Sequence, residues 1–284
     1  MIDLTVAGKK EEDLSKLLTA MHSVVVSFSG GVDSSYLLKI AHEALGSNVI
    51  AATGLSQTYA AEEMEEARVI AAEIGAEYVL VDTAELTDPR YADNSHQRCF
   101  FCKTELYSRL VELAQARGVN IVIDGSNADD ADDFRPGMRA ARELGVRSPL
   151  QEIGLTKIEI RALSERRGLR TWDKPAVACL SSRFEYGDPI TVEKLRRVAA
   201  AESAVRLLGF TGFRVRHHDS TARLEVPREQ FALAMEHADA LVEAMRSAGY
   251  RHAVLDLAGY RSGSMNEVIN ARFKSRGLRR PSAV

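Results

Sequence analysis

The sequence contains no apolar run approaching the roughly 18 residues that a membrane-spanning helix requires. Its N-terminal stretch, MIDLTVAGKKEEDL, also lacks the basic region followed by an apolar block that marks a secretory signal. We therefore expect a cytoplasmic protein rather than a membrane or exported one. With 284 residues, of which 45% are hydrophobic and 27% charged, the chain has the composition of a globular protein of one large or two modest domains.

Cysteine is scarce, with only Cys99, Cys102 and Cys179 in the whole chain. A small, odd number of cysteines in a protein expected to be cytoplasmic argues against a disulfide framework. Metal binding or thiol chemistry is the more natural use of these side chains.

Charge is distributed unevenly along the chain. Residues 1–190 contain 21 Lys and Arg against 30 Asp and Glu, whereas residues 191–284 contain 16 against 10. The basic C-terminal part suits an anionic partner, and an ordinary solvated surface is an equally good interpretation.

Strand-like and helix-like patterns alternate through the first half. The predicted strands are Ser23–Phe28, Val49–Gly54, Tyr78–Val81 and Asn120–Asp124, and the predicted helices between them are Asp33–Leu45, Ala60–Ile74 and about Lys103–Arg117. The first strand is continuously apolar, which is typical of a parallel strand buried on both faces. The alternation predicts an α/β fold, a Rossmann-like parallel sheet with helices on both faces.

The pattern changes after a stretch rich in Ser, Gly and Pro at residues 172–190. We predict, in order, a helix at Val192–Leu208, strands at Phe213–His218 and Arg223–Val226, a long helix at Arg228–Ala248 and a strand at Arg251–Leu257. This order is typical of a smaller α+β domain. We therefore expect domains at residues 1–187 and 188–284.

The first predicted strand ends in the segment SFSGGVDSS, residues 27–35. Glycines directly after a strand let the chain turn sharply and let backbone N–H groups approach a ligand, and the following helix N-terminus favours an anion. The serine hydroxyls suit phosphate oxygens, and Asp33 suits a bound Mg²⁺. The segment is neither a Walker loop nor a dinucleotide loop, which would read Gly-Lys-Ser/Thr or Gly-x-Gly-x-x-Gly. A plain strand–helix turn with a Ser or Asp cap is the alternative.

The segment resembles the pyrophosphate loop (PP-loop) of the N-type ATP pyrophosphatases. That resemblance implies a loop that holds the β- and γ-phosphates of ATP while AMP is transferred to a substrate and pyrophosphate is released. The residues in this role are Ser29, Gly30, Gly31, Val32, Asp33, Ser34 and Ser35.

Two further segments match the nucleotide site of that family. Ala52 and Gly54, within Ala51–Leu55 at the end of the second strand, correspond to the adenine side. Gly125 and Ser126 follow the fourth strand and resemble a second nucleotide-facing turn. An ordinary Asp-Gly turn is the alternative interpretation of the latter pair.

The combination of the motifs SGGVDS, RCFFCK, DGSNADD, ACLSSRF and GYRSGSMNE is similar to that of the LarE-type ATP-dependent sulfur transferases, and the motifs span most of the chain. The resemblance implies adenylation of a carboxylate of pyridinium-3,5-biscarboxylic acid mononucleotide and its conversion to a thiocarboxylate. That product belongs to nickel-pincer cofactor biosynthesis. The implied partners are this small-molecule substrate and a sulfide source, with a closed homo-oligomer as the expected assembly.

The family uses its cysteines in two ways, and the resemblance leaves both open here. In one, Cys99, Cys102 and Cys179 hold a [4Fe-4S] cluster; three thiolates leave one iron open for an extra sulfide. In the other, Cys179 gives up its own sulfur and becomes dehydroalanine. A third alternative is Zn²⁺ held by the three cysteines and His96. We expect the cluster, since all three cysteines stand at matching positions.

Other expected site residues follow from the same resemblance. Arg214 and Arg216 alternate on one predicted strand, so their guanidinium groups share a face and suit a substrate phosphate, with Ser182 preferred to Ser181 beside them. An exposed basic strand face is the alternative. The remaining expectations are charge neutralisation at the α-phosphate by Arg135 or Lys103, and a divalent-ion site at Glu202 and Glu225.

Two competing functions remain. A PP-loop tRNA thiolase would share the loop and a three-cysteine cluster, but Val32 stands where many of those enzymes have lysine, and neither a zinc knuckle nor a strongly basic extension is evident. Nucleic acid is therefore a disfavoured partner. A non-catalytic adenine-nucleotide-binding module would leave the three cysteines without a role.

Overall fold

The β-branched run at residues 24–26 forms a strand in the computed structural model of the chain, which describes residues 4–119, 121–130, 136–175 and 178–261. The strands are β1 (Val24–Ser27), β2 (Val49–Leu55), β3 (Glu77–Asp82), β4 (Val122–Ile123), β5 (Arg214–His218), β6 (Thr221–Glu225) and β7 (His252–Leu255). None of the described helices is long and apolar enough to cross a membrane.

Helices occupy most of the remaining described chain. They are α1 (Leu4–Thr19), α2 (Val32–Leu45), α3 (Ala61–Ile74), α4 (Pro89–Ala92), α5 (Arg98–Ala116), α6 (Pro136–Glu143), α7 (Pro149–Glu152), α8 (Lys157–Arg166), α9 (Val192–Leu207), α10 (Phe231–Glu236) and α11 (Ala238–Ser247). Contacts divide the chain into two units. The first comprises the described residues of Met1–Tyr91 and Gln97–Val177, and the second those of Ala92–His96 and Ala178–Val284.

The first unit contains a four-stranded sheet in the order β3-β2-β1-β4, with every pair parallel. This confirms the predicted α/β class. The chain leaves β1 toward β2 and later returns to the other side of β1 as β4. The loops after β1 and β4 therefore diverge at a topological switch point, where open α/β sheets bind their ligands.

The sheet is buried on both faces, as the continuous apolar sequence of β1 predicts. Val24 and Val26 pack in one core with α1, α2, α3 and α8. Val25 faces the other way and packs in a second core with α5 and α6. Burial of each valine side chain stabilises the fold by roughly 1.5–3 kcal/mol, so β1 is firmly held beneath the loop that follows it.

The second unit is built around a three-stranded sheet in the order β5-β6-β7. β5 and β6 form an antiparallel pair, and β6 and β7 a parallel one. One face packs on α9, α10 and α11 around Phe210, Val215 and Met245. The opposite face of β5 presents Arg214, Arg216 and His218, because side chains two residues apart share a face.

Two predicted helices differ in their limits. α5 begins at Arg98, about one turn before the predicted start, because Phe100 packs against the second core and extends the apolar stripe. The long helix predicted at Arg228–Ala248 is broken at His237, which has φ −96° and ψ 20°. The apolar periodicity continues across the break, since Ala234 and Leu241 are buried in the same core, and periodicity alone therefore does not detect it.

Candidate functional site

The loop after β1 has the backbone geometry that its glycines allow. Gly30 has φ +65°, and a Cβ there would lie 3.0 Å from the Cα of Ala67. A side chain at this position is therefore excluded both by conformation and by space. Gly31 is the N-cap residue of α2, so the free N–H groups of the first helical turn open onto the loop.

The hydroxyls of Ser29 and Ser34 lie 3.1 Å apart and form the inner lining of the loop. Ser34 Oγ also accepts from the backbone N–H of Ser29 at 3.3 Å. The Oγ of Ser35, in contrast, is buried and has no hydrogen-bond partner. The arrangement gives the loop two adjacent hydroxyls and several backbone donors, which suits phosphate oxygens.

Asp33 stands in the first turn of α2 with its two carboxylate oxygens in different surroundings. Oδ2 accepts a hydrogen bond from Lys157 Nζ at 2.5 Å, whereas Oδ1 is buried without a partner. Burial raises the pKa of Asp33, and the bond from Lys157 opposes part of that rise. A buried carboxylate oxygen that lacks a donor is a natural ligand for a hard cation, so the residue fits the expected Mg²⁺.

Two lysines that the sequence analysis did not select reach this loop. Lys157, the first residue of α8, pairs with Asp33, and Lys174 Nζ donates to the carbonyl oxygen of Gly30 at 3.1 Å. Lys174 also pairs with Glu66 at 2.9 Å. The only sequence signal near either lysine is the capping box of Thr156 and Glu159, which marks the start of α8 but not its neighbours.

The turn after β4 is organised by Asp124, which is 6% exposed. Its carboxylate accepts from Tyr107 Oη at 2.7 Å, from Ser148 Oγ at 2.7 Å and from both the N–H and the hydroxyl of Ser126 at 3.1 Å. A Cβ on Gly125 would lie 3.0 Å from the backbone nitrogen of Ser34. The structure thus brings the Gly125–Ser126 turn directly against the start of α2.

The predicted adenine-side residues lie at the end of β2. Ala52 is 1% exposed, and its carbonyl oxygen accepts from the N–H of Phe28 at 2.8 Å. A Cβ on Gly54 would lie 2.9 Å from Leu106 Cδ1, so glycine is required by close packing against α5. Both residues therefore lie at the edge of the sheet that carries the loop.

Cys99 and Cys102 lie in the first turns of α5, three residues apart and therefore on one side of the helix. Cys99 is exposed and Cys102 half-buried, and both are reduced. Lys103 follows them, with Nζ 5.1 Å from the centroid of the Tyr107 ring. Arg135, the other expected α-phosphate residue, lies outside the described residues.

The third cysteine lies in the second unit. Cys179 is reduced and half-buried, and it is the N-cap residue of a 3₁₀ turn at Leu180–Arg183. Arg183, another residue that the sequence analysis missed, donates from Nη1 to the carbonyl oxygens of Ala178 and Cys179 at 2.7 and 3.1 Å and to Ser182 Oγ at 2.8 Å. One guanidinium therefore holds the whole turn that carries the thiol.

The predicted phosphate-binding residues of this unit lie together. Arg216 Nη1 donates to the carbonyl oxygen of Ser182 at 2.7 Å, and Arg214 lies two residues away on the same strand face. Burial, followed by the nearby charge of Arg183, lowers the pKa of Arg214. A concentration of positive charge that disfavours its own protonation is a suitable environment for an anion. Ser181, the weaker alternative to Ser182, is completely buried.

Glu202 and Glu225, the expected divalent-ion ligands, are both engaged with arginines. Glu202 pairs with Arg183 at 2.8 Å, and Glu225 pairs with Arg216 at 2.9 Å. Within the described ranges, no group of three or more His, Cys, Asp or Glu side chains is placed to hold a metal ion. For a [4Fe-4S] cluster, the three thiols fit by their chemistry, and Cys99 and Cys102 supply two of them from one helix end.

Comparison with known proteins adds to this description. A sequence profile of the NAD synthase family matches residues 11–120. The pyridinium-3,5-bisthiocarboxylic acid mononucleotide synthase of Lactiplantibacillus plantarum is 38% identical over 266 residues, which cover 93% of this chain and 96% of that protein. An uncharacterised protein of Synechocystis sp. is 45% identical over 262 residues, covering 92% and 98%. An uncharacterised protein of Methanocaldococcus jannaschii is 23% identical over 242 residues, covering 84% and 91%.

Proposed function

The chain belongs to the LarE-type family of PP-loop proteins, and from that premise we propose that it is an ATP-dependent sulfur transferase acting on pyridinium-3,5-biscarboxylic acid mononucleotide. The observation that carries the proposal is the 38% identity, over 93% of the chain, to the pyridinium-3,5-bisthiocarboxylic acid mononucleotide synthase. A thiocarboxylate differs from a carboxylate by the exchange of one oxygen for sulfur. A carboxylate oxygen is a poor leaving group, so the exchange requires activation, for which a nucleotide site is suited.

In the first step, a substrate carboxylate oxygen attacks the α-phosphorus of ATP. The bond from that phosphorus to the bridging oxygen breaks, and pyrophosphate leaves as the acyl-adenylate forms. Ser29, Gly30, Gly31, Val32, Ser34 and Ser35 form the proposed cradle for the departing pyrophosphate. Their support is the open helix N-terminus and the paired hydroxyls of the loop. Mg²⁺, held by Asp33, would neutralise charge that develops on the phosphates.

The remaining nucleotide contacts are proposed from position. Ala52 and Gly54 would face the adenine, and Gly125 and Ser126 the ribose and α-phosphate side, because all four lie at the carboxyl ends of strands next to the loop. Lys103 and Arg135 would neutralise the α-phosphate during transfer.

In the second step, a sulfur nucleophile adds to the acyl carbon and AMP leaves, which produces the thiocarboxylate. Ser182, Arg214 and Arg216 would hold the substrate phosphate. This assignment is supported by the shared face of the two arginines and by the bond from Arg216 to Ser182. Cys179 lies three residues before Ser182 on the same turn, which places a thiol beside the proposed phosphate site.

For the sulfur source, we propose that Cys99, Cys102 and Cys179 hold a [4Fe-4S] cluster. When bound, such a cluster with one open iron supplies an exchangeable sulfide, so that no protein sulfur is consumed. The support is the donor set, three thiols with two of them on one helix turn. The competing proposal is that Cys179 itself attacks the acyl carbon and then loses its sulfur by elimination, leaving dehydroalanine. Zn²⁺ bound by the cysteines and His96 is the third proposal.

The sulfur source is tested by anaerobic purification with assays of iron, acid-labile sulfide and zinc. About four irons and at least four sulfides per chain would support the cluster. A protein without iron that loses the mass of one sulfur atom at Cys179 after a single turnover would overturn it in favour of the consumed cysteine. The Cys99→Ser variant separates the same alternatives, because consumption of Cys179 does not need Cys99, whereas the cluster does.

The nucleotide half is tested separately by release of pyrophosphate from ATP in the presence of the pyridinium substrate. Asp33→Ala is expected to abolish release, and retained release would overturn the assignment of the loop. We also propose that residues 1–187 form the ATP pyrophosphatase domain and residues 188–284 the substrate and oligomerisation domain of a homo-oligomer. Light scattering of the purified protein measures that oligomeric state.

A further inference from the structure

Lys157 contacts the loop after β1 although it lies far from it in sequence. Its Nζ is 2.5 Å from Asp33 Oδ2, across 124 residues of chain. The side chains of Lys157 and Asp33 are 32% and 22% exposed, so the pair is partly screened from water but open on one side. The ammonium group has three donors, and one bond to Asp33 leaves donors for a ligand that enters from the open side.

The backbone that carries Lys157 is firmly positioned. Its own N–H donates to Asp129 Oδ2 at 2.8 Å. The preceding residue, Thr156, forms a capping box with Glu159, whose carboxylate is also paired with Lys10 at 2.8 Å. Because α8 packs in the same core as α2, the lysine is held beside the loop by three independent sets of contacts.

The loop needs cations from elsewhere because it has none of its own. Residues 29–35 read SGGVDSS and contain one carboxylate and no Lys or Arg. Backbone N–H groups and hydroxyls bind phosphate, but a polyphosphate carries several negative charges whose neutralisation requires cations. Lys174 reaches the loop too, but its Nζ is engaged with the Gly30 carbonyl and with Glu66. Lys157 is the better placed of the two.

We propose that Lys157 binds the pyrophosphate portion of ATP, and the product pyrophosphate, while Asp33 serves as its partner when no nucleotide is present. The proposal rests on the ATP-dependent function argued above. In the empty site, Asp33 neutralises Lys157. On binding, the carboxylate turns toward the Mg²⁺ that accompanies the nucleotide, and the ammonium group donates to a phosphoryl oxygen. AMP, which lacks the β- and γ-phosphates, does not use this contact.

The test measures the equilibrium binding of ATP, pyrophosphate and AMP, each with Mg²⁺, by calorimetry. Lys157→Gln is expected to weaken the binding of ATP and of pyrophosphate by about ten- to hundredfold, the usual value of a hydrogen bond to a charged group. Binding of AMP is expected to stay within about twofold of the wild type, because AMP makes no contact there. The matched control is Lys10→Gln, which breaks another Lys–Glu pair of α8 away from the loop.

Lys157→Arg keeps the charge and is expected to retain most of the ATP affinity; thermal unfolding of each variant verifies that it folds. Equal loss of ATP and AMP binding in Lys157→Gln would overturn the proposal and assign a purely structural role to the lysine. Unchanged ATP binding would also overturn it. A wild-type protein that binds neither ATP nor pyrophosphate would overturn the nucleotide function as well, so the two failures are distinguishable.

Discussion

In the second unit, Arg183 and Glu202 form a bidentate ion pair, with Nε–Oε1 and Nη2–Oε2 distances of 2.8 Å. The two residues are 3% and 5% exposed. The remaining nitrogen of Arg183 donates to carbonyl oxygens of Ala178 and Cys179, and Glu202 Oε1 accepts from the N–H of Val215. The pair therefore links the turn that carries the thiol to the strand that carries the two phosphate-binding arginines.

Removal of one partner from this pair is expected to be costly. Arg183→Met would leave the Glu202 carboxylate buried without its main donor, and we expect a loss of about 3–5 kcal/mol in the free energy of unfolding. Urea denaturation measures the loss. The double variant Arg183→Met with Glu202→Met is expected to lose less than the single one, since no unpaired charge remains. A single variant as stable as the wild type would contradict the structural role of the pair.

The contact between Gly125 and the start of α2 predicts that even a methyl group is not tolerated there. Gly125→Ala would place Cβ 3.0 Å from Ser34 N and 3.2 Å from Ser34 Cα, so the first turn of α2 must move. We expect a loss of about 1–3 kcal/mol in stability from overpacking, together with weaker ATP binding. Gly8→Ala is the control, because its Cβ would meet only Arg166 Nη1 at 3.8 Å. Equal behaviour of the two variants would contradict the prediction.

The hydrogen bond from Tyr107 to Asp124 supports the turn after β4. Burial and the Asp124 carboxylate raise the pKa of Tyr107 well above its usual value, so the hydroxyl remains a donor. Tyr107→Phe is expected to cost about 1–3 kcal/mol, because it removes a donor from a buried carboxylate. Tyr78→Phe, which removes only a 3.5 Å contact to the Met64 carbonyl, should be nearly neutral. Thermal unfolding compares the two, and a larger loss for Tyr78→Phe would refute the assignment.

Acid stability is expected to depend on Glu11, which accepts from Tyr36 Oη at 2.9 Å and pairs with Arg166 and Arg167. Burial raises the pKa of Glu11, but these partners lower it by more, so that the net pKa lies below 4.5. The unfolded chain therefore takes up a proton at a higher pH than the folded protein. The stabilisation is complete above 4.5 and is lost as the pH falls through the folded pKa.

Glu11→Gln tests this pH dependence. The variant is expected to be less stable than the wild type at neutral pH, and its free energy of unfolding should fall less steeply as the medium becomes acidic. Urea denaturation at several pH values between about 3 and 6 measures both quantities. Parallel pH curves for the two proteins would show that Glu11 does not carry the acid sensitivity.

Several elements were predictable because their signals are local. The β-branched residues at 24–26 predicted a buried strand, and the glycines after it predicted a turn that opens a helix, which the positive φ of Gly30 explains. The ends of α2 and α3 at Gly46 and Gly75 follow from the same conformational freedom. In contrast, the break at His237 was missed because the apolar periodicity continues through it.

The amino-acid sequence by itself determined the parallel-sheet class, the loop of residues 29–35 and the three cysteines, because these depend on residue types at short spacing. Only the tertiary structure decided which side chains surround them. The pairing of Lys157 with Asp33 spans 124 residues, and that of Arg183 with Glu202 joins a turn to a separate helix. Such contacts depend on how helices pack against the sheet. A lysine or arginine has no local signal that distinguishes a ligand-binding partner from a solvated surface charge.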